Sequence, residues 1–234
     1  MIIIIGASKG LGKSLTHTFK DKELLLISRS RINTDIDNHH QINCDISKLD
    51  LTSLKNDFAE KEIEAIFFTI GIINQKDDFN LSDDEKNEII NTNFLSIVKS
   101  CEFFIDNFTF KKSALFCFCS SVSTLQPRSK QVLYCSAKNA LNSYSTSLRY
   151  YLNIRRKEIR VANLMLGYLD TEMNKDIKTL LPKKNPLEIA MYLSKNLSSL
   201  NGTYYLPKYW FIIKIILSLI PEKIKQILFN KLKI

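Results

Sequence analysis

The chain has 234 residues and 45% hydrophobic content, enough for one globular domain with a full core. Its formal net charge is +9, yet no nucleic-acid-binding motif accompanies that charge, so no nucleic-acid partner is expected. Five cysteines (Cys44, Cys101, Cys117, Cys119 and Cys135) form no disulfide framework, which predicts reduced thiols and a cytoplasmic location.

The first segment, Ile2-Ile3-Ile4-Ile5, is continuous, apolar and β-branched, as in a buried parallel strand. No charged leader precedes it, so no signal peptide is expected. Gly6-Ala7-Ser8-Lys9-Gly10-Leu11-Gly12 follows, then a helical pattern with Leu11, Leu15 and Phe19 on one face. Strand, glycine turn and helix together suit a pyrophosphate. The glycines let the backbone come close, and the helix start offers free N–H groups and a positive dipole end.

A second strand is predicted over residues 23–28 and a short third over 41–44, ending at Asp45, with His39-His40 at its start. Ser47 is predicted to cap the helix carrying Leu51, Leu54 and Phe58. Residues 65–69 form a fourth strand closed by Gly71. Ser82-Asp83-Asp84-Glu85 is a capping box opening a long helix to about residue 107. Residues 114–119 form a fifth strand, in which Cys117 and Cys119 share a face as buried, inert thiols. A helix over 131–154, a sixth strand over 159–166, a helix over 186–197 and a last strand over 203–206 complete the alternation. The predicted fold is α/β: a single doubly wound Rossmann-type parallel sheet with helices on both faces.

Tyr134 and Lys138 stand four residues apart, on one face of their helix. A cation there lowers the pKa of a phenol from its usual value of about 10. A phenol so tuned exchanges a proton with an alcohol or carbonyl oxygen. Ser121 lies upstream, at the end of an apolar run.

Taken together, these motifs resemble the short-chain dehydrogenase/reductase family over roughly residues 1–206. The family's glycine motif maps onto Gly6, Gly10 and Gly12, with Ser8, Lys9 and Leu11 in the same turn. Its Asn, Ser, Tyr and Lys tetrad maps onto Asn93, Ser121, Tyr134 and Lys138. Ser121 is preferred to Ser120 because the family's serine usually sits 13 residues before the tyrosine. Asp45 resembles the adenine-contacting aspartate, Gly71 closes the fourth strand, and Thr171 resembles the threonine that holds the nicotinamide carboxamide. Residues 185–190 and 202–207 read like late family segments. The chain departs from the family pattern at Phe68-Thr69-Ile70-Gly71, at Leu166-Gly167 and at Ile5.

The resemblance implies hydride transfer between a nicotinamide cofactor and a small-molecule carbonyl or alcohol, in a homo-oligomer. Tyr134 moves the proton, Lys138 tunes Tyr134 and bonds the ribose, Ser121 orients the substrate oxygen, and Asn93 holds a relay water. Cofactor choice turns on the end of the second strand. An acid there would bond the ribose 2′-hydroxyl. This chain has Ser28-Arg29-Ser30-Arg31, with Lys9 close by, so NADP(H) is expected over NAD(H). Residues 125–130 and 172–184 are expected to line the substrate pocket. A non-catalytic NADP(H)-binding redox sensor and a membrane-surface scaffold on the same fold are the alternatives.

Residues 207–234 read as a basic amphipathic tail. An apolar run over 209–220 contains Lys214 and is too short to span a membrane, which takes about 20 residues. Beyond Pro221, Ile224, Ile227, Leu228 and Leu232 recur at helical spacing among Lys223, Lys225, Lys231 and Lys233. Two expectations stand side by side. One is a peripheral contact with an anionic membrane, supported by Trp210 and the lysines. The other is packing on the core or on a subunit.

Overall fold

The computed structural model describes residues 1–33, 36–74, 77, 79–126, 130–155, 157–175, 177, 179 and 181–232. Seven strands form one sheet: β1 (Ile2–Ile5), β2 (Leu24–Ser28), β3 (His39–Asn43), β4 (Ile63–Phe68), β5 (Phe110–Ser121), β6 (Ile159–Leu166) and β7 (Gly202–Leu206). Their order is β3-β2-β1-β4-β5-β6-β7, and every pairing is parallel. The chain reverses its direction of travel across the sheet between β1 and β4. In such sheets ligands bind at that switch point, beyond the carboxyl ends of the strands.

Alternation along the strands explains why both sheet faces are dry. Ile2, Ile4, Leu24, Leu26, Phe67, Cys117 and Leu164 share one apolar cluster with residues of α1 (Gly10–Thr18) and α6 (Pro186–Lys195). Ile3, Ile5, Leu25, Ile27, Phe68, Phe116 and Phe118 point the other way. They pack with α2 (Leu51–Phe58), α4 (Ser96–Asn107) and α5 (Val132–Ile154). Successive strand residues face opposite sides, so an unbroken run such as Ile2–Ile5 is required only where both sides are covered. Cys117 and Cys119 do share a face, and burial pushes both thiols up, Cys119 to about 12.

Several local expectations shift. Ser47 does not cap α2. Asp50 does, accepting the N–H groups of Thr52 and Ser53 at 3.0 Å each, while Ser47 donates to Asp45. An aspartate directly before the first turn reaches those donors, and a serine three residues earlier cannot. β5 begins at Phe110, earlier than its apolar run, because parallel pairing with β4 carries the lysines along its exposed start. The capping box holds at Ser82 and Glu85. The long helix that it opens is α3 (Asp83–Ile90), continued into α4 through a π turn at Asn91–Leu95. Two further helices, α7 (Tyr209–Leu219) and α8 (Glu222–Leu232), close the chain. Among the described residues, no helix is long and apolar enough to cross a membrane.

Candidate active site

A cavity of about 590 Å³ opens over the carboxyl ends of the strands, within the range typical of small-molecule and cofactor sites. The glycine turn forms one wall. Gly6 sits at φ +95° and Gly10 at φ +53°, a region that favours glycine. A Cβ on Gly12 would lie 2.1 Å from the Gly6 carbonyl oxygen, so the helix packs on the turn only without a side chain there. Lys9 precedes α1 and makes no side-chain cap. The first N–H groups of α1 therefore stand open at the site, as an anionic diphosphate requires. Thr69 Oγ1 donates to the Ile5 carbonyl at 2.8 Å, tying the ends of β4 and β1 together beneath the turn.

Ser8, Lys9, Gly10, Leu11, Arg29, Asp45, Gly71 and Thr171 all line this cavity. Thr171 lies over the glycine turn, its methyl 3.3 Å from where a Gly10 Cβ would be. Burial pushes the Asp45 carboxyl up. Hydrogen bonds from Ser47 and the nearby Arg29 charge outweigh that and hold it below its ordinary range. The sequence places no carboxylate beside Arg29. Besides Asp45, the fold brings Glu88 of α3 to 4.0 Å from the guanidinium, both side chains of that pair being largely exposed. A pair so exposed and so long is weakly held, which leaves Arg29 available to a phosphate.

The other end of the cavity holds Ser121, Tyr134 and Lys138. Tyr134 and Lys138 begin the buried stripe of α5 that continues through Leu141, Ser145, Leu148 and Leu152. Lys138 is 3% exposed, and its ammonium is held by backbone oxygens. It donates to the Cys119 carbonyl at 3.0 Å and the Ile70 carbonyl at 3.3 Å, and lies 6.0 Å from the Tyr134 ring centre. Burial pulls it down to about 8, with Cys119 opposing. The two serines separate cleanly. Ser120 Oγ donates to the Lys138 carbonyl. Ser121 Oγ accepts from the Ser123 N–H at 3.1 Å, and among the described residues no acceptor takes its own proton.

Asn93 sits in the π turn, fully buried. Its amide hydrogens go to the Ile72 and Ile89 carbonyls, and its Oδ1 accepts from the Ile72 N–H. A relay water would find only the remaining Oδ1 lone pair. The side chain mainly fixes Gly71-Ile72, whose wall touches Lys138: a Cβ on Gly71 would lie 3.0 Å from Asn93 Oδ1 and 3.3 Å from Lys138 Nζ. A π turn at such a place is common in functional sites.

Two residues escaped the sequence reading. Asp77, 1% exposed, accepts the N–H groups of Leu133 (3.1 Å) and Tyr134 (2.9 Å) through its carboxylate and that of Gln131 through its carbonyl (2.6 Å). It thereby caps α5, whose own preceding residue, Gln131, lies at φ +61° and makes no side-chain cap. Ser123 lines the cavity with a buried hydroxyl that has no partner among the described residues. Within the expected pocket loops, residues 127–129, 176, 178 and 180 lie outside the described residues, as does Lys233 in the tail. Ile177, Glu172, Met173 and Asn174 do line the cavity.

A family model described as short chain dehydrogenase matches residues 1–181. The chain is 30% identical over 136 residues to a 3-oxoacyl-(acyl-carrier-protein) reductase of Chlamydia trachomatis, covering 57% of this chain and 54% of that protein. It is 23% identical over 194 residues to a dehydrogenase/reductase SDR family protein 7-like of Drosophila melanogaster, covering 74% and 58%. The chain thus matches little more than half the length of these curated relatives. Among solved structures, a short chain dehydrogenase from Burkholderia cenocepacia in complex with NADP superposes with a TM-score of 0.78 at 15% identity, covering 99% of this chain and 96% of that one. A short chain dehydrogenase family protein from Francisella tularensis gives 0.75 at 21%, covering 87% and 95%. At these identities the superpositions speak for the fold.

Proposed function

We propose, for a chain that belongs to the short chain dehydrogenase family, that it is an NADP(H)-dependent oxidoreductase interconverting a carbonyl and an alcohol. One observation carries the reading: a single cavity joins an open helix start over a glycine turn to a Tyr134, Lys138 and Ser121 cluster. The residues fit a dinucleotide. The glycine turn at Gly6, Gly10 and Gly12 would take the diphosphate, with Ser8 and Leu11 beside it. Asp45 would meet the adenine, Arg29 and Lys9 the 2′-phosphate, and Gly71, Thr171 and Lys138 the nicotinamide end. When bound, the cofactor supplies or accepts the hydride.

The chain's own residues handle the oxygen and its proton. Ser121 donates a hydrogen bond to the substrate oxygen and holds it beside the Tyr134 hydroxyl. In reduction, Tyr134 gives its proton to that oxygen as the carbonyl carbon is reduced. In oxidation, the tyrosinate takes the alcohol proton back. Lys138, protonated below about pH 8, stabilises the negative charge that develops on the phenol. Asn93 and Asp77 hold the walls and the helix that aim these groups.

The substrate is a small molecule bearing a carbonyl or a hydroxyl. The test is NADPH oxidation against ketones, keto-sugars and acyl thioesters. Thioesters with a 3-oxo group come first, given the activity named for the Chlamydia relative. Turnover of one class with NADPH is the expected result. Failure to bind either nicotinamide cofactor would overturn the reading.

A further inference from the structure

Apart from Lys214 and Ser218, α7 is apolar, yet none of its residues is buried. One side leans on the domain. The Trp210 indole lies against Gly167, so closely that a Cβ there would fall 2.2 Å from Nε1. Trp210 thus acts as the packing anchor of the helix, where the sequence had suggested a membrane contact. Phe211 meets the Tyr205 ring at 5.7 Å, and the helix touches β7 and the turn at Val122–Leu125.

The opposite side faces outward and is equally apolar. Ile212, Ile215, Ile216 and Leu219 are exposed, Ile212 by 60% and Leu219 by 77%. α8 adds exposed Ile224, Ile227 and Leu228. A soluble helix normally turns polar residues outward. A continuous exposed apolar face marks a surface made to be covered.

Charge says by what. Residues 208–234 carry six lysines and a single acid, Glu222. Lys208, Lys214 and Lys223 are exposed along these helices. A second copy seated on this face would bring the same excess of lysines against itself, and opposed like charges disfavour such a contact. An anionic lipid surface accepts both features, taking lysines at the headgroups and isoleucines at the acyl boundary. Each helix has eleven residues, about 16 Å, and neither is long and apolar enough to cross a bilayer.

We propose that α7 and α8 seat this protein on an anionic membrane surface, with their apolar face in the interface and their lysines on the headgroups. The surface adjoins the cavity, because Gly167, against which Trp210 packs, lines it, as do Val122 and Ser123 of the turn that α7 touches. Docking would therefore hold the cavity beside the lipid. The inference stands independently of the proposed reaction.

The test is co-sedimentation of the full chain with vesicles of phosphatidylcholine alone or mixed with phosphatidylglycerol. Binding to the mixed vesicles is expected, weakened about tenfold by raising salt from low to physiological strength and above. The double substitution Ile212→Glu/Ile216→Glu should abolish binding while leaving the melting temperature and cofactor binding unchanged, since both side chains are exposed. Lys208→Gln/Lys214→Gln/Lys223→Gln should erase the preference for anionic vesicles. No sedimentation with anionic vesicles at low salt would overturn the proposal. So would binding that survives the glutamate pair. A concentration-dependent dimer that the glutamate pair dissolves, without vesicle binding, would assign the face to a second copy instead.

Discussion

The Asp77 carboxylate accepts the backbone N–H of Tyr134 at 2.9 Å, across 57 residues of sequence. It fixes the first turn of α5 and so the direction in which the phenol points. Asp77→Ala should lower stability by about 1–2 kcal/mol, the usual cost of a lost helix cap. It should reduce kcat more than it raises the cofactor KM, because, apart from Lys138, the residues proposed to hold the cofactor lie on other elements. Asp77→Asn, which keeps one acceptor, should restore part of both. Thermal melts and a kcat-against-KM comparison of the two variants check this. An Asp77→Ala enzyme with normal kcat would remove its positioning role.

Lys138 makes stability depend on pH in a defined direction. Burial lowers it to about 8 in the folded protein, against an ordinary 10.5. Between those values the unfolded chain binds more protons, so the folded state gains stability as pH rises. Below about pH 8 both states are protonated and the buried charge keeps its full cost. Relative to Lys138→Met, the wild type should therefore gain on the order of 1 kcal/mol per pH unit across that window. Melting curves of both proteins at a series of pH values read the difference. A difference independent of pH would place the ammonium in a wetter environment.

Much of this arrangement was legible in the sequence. The order of strands and helices follows from period and punctuation, and the glycine turn and the Tyr134, Lys138 pair are local patterns. What escaped is long-range. Asp77 lies in a segment with no periodicity, and only the fold carries it to α5. Glu88 reaches Arg29 from α3, 59 positions on in the sequence, so no reading of the residues around Arg29 could foresee it. The π turn at Asn91–Leu95 interrupts a helical pattern without a proline or glycine to announce it. Trp210 looks like an interfacial residue until Gly167, 43 positions earlier, is seen to make room for it.

The glycines of the turn should differ in tolerance. A Cβ on Gly12 meets a backbone oxygen at 2.1 Å, which cannot move aside, whereas one on Gly10 meets the Thr171 methyl at 3.3 Å. Gly12→Ala should cost about 1–3 kcal/mol of stability and most of the cofactor affinity. Gly10→Ala, strained by its φ of +53°, should be the milder of the two. Melting and cofactor titration rank them, and the reverse order would contradict the packing described.

Cofactor preference is proposed to rest on Arg29. Losing a charged hydrogen bond to phosphate typically costs about 1.5–3 kcal/mol, roughly tenfold to a hundredfold in affinity. Arg29→Asp should weaken NADPH by at least that much and leave NADH unchanged or tighter. Titrating both cofactors against both proteins decides it. Equal wild-type affinities would take Arg29 out of the account.

The central claim is that Tyr134 moves the substrate proton. Tyr134→Phe keeps the ring and removes only the hydroxyl. With the best substrate from the panel, kcat should fall by about 10²–10⁴-fold, while NADPH affinity stays within a few-fold of wild type. A Tyr134→Phe enzyme that binds NADPH and turns over at a near-normal rate would contradict the claim.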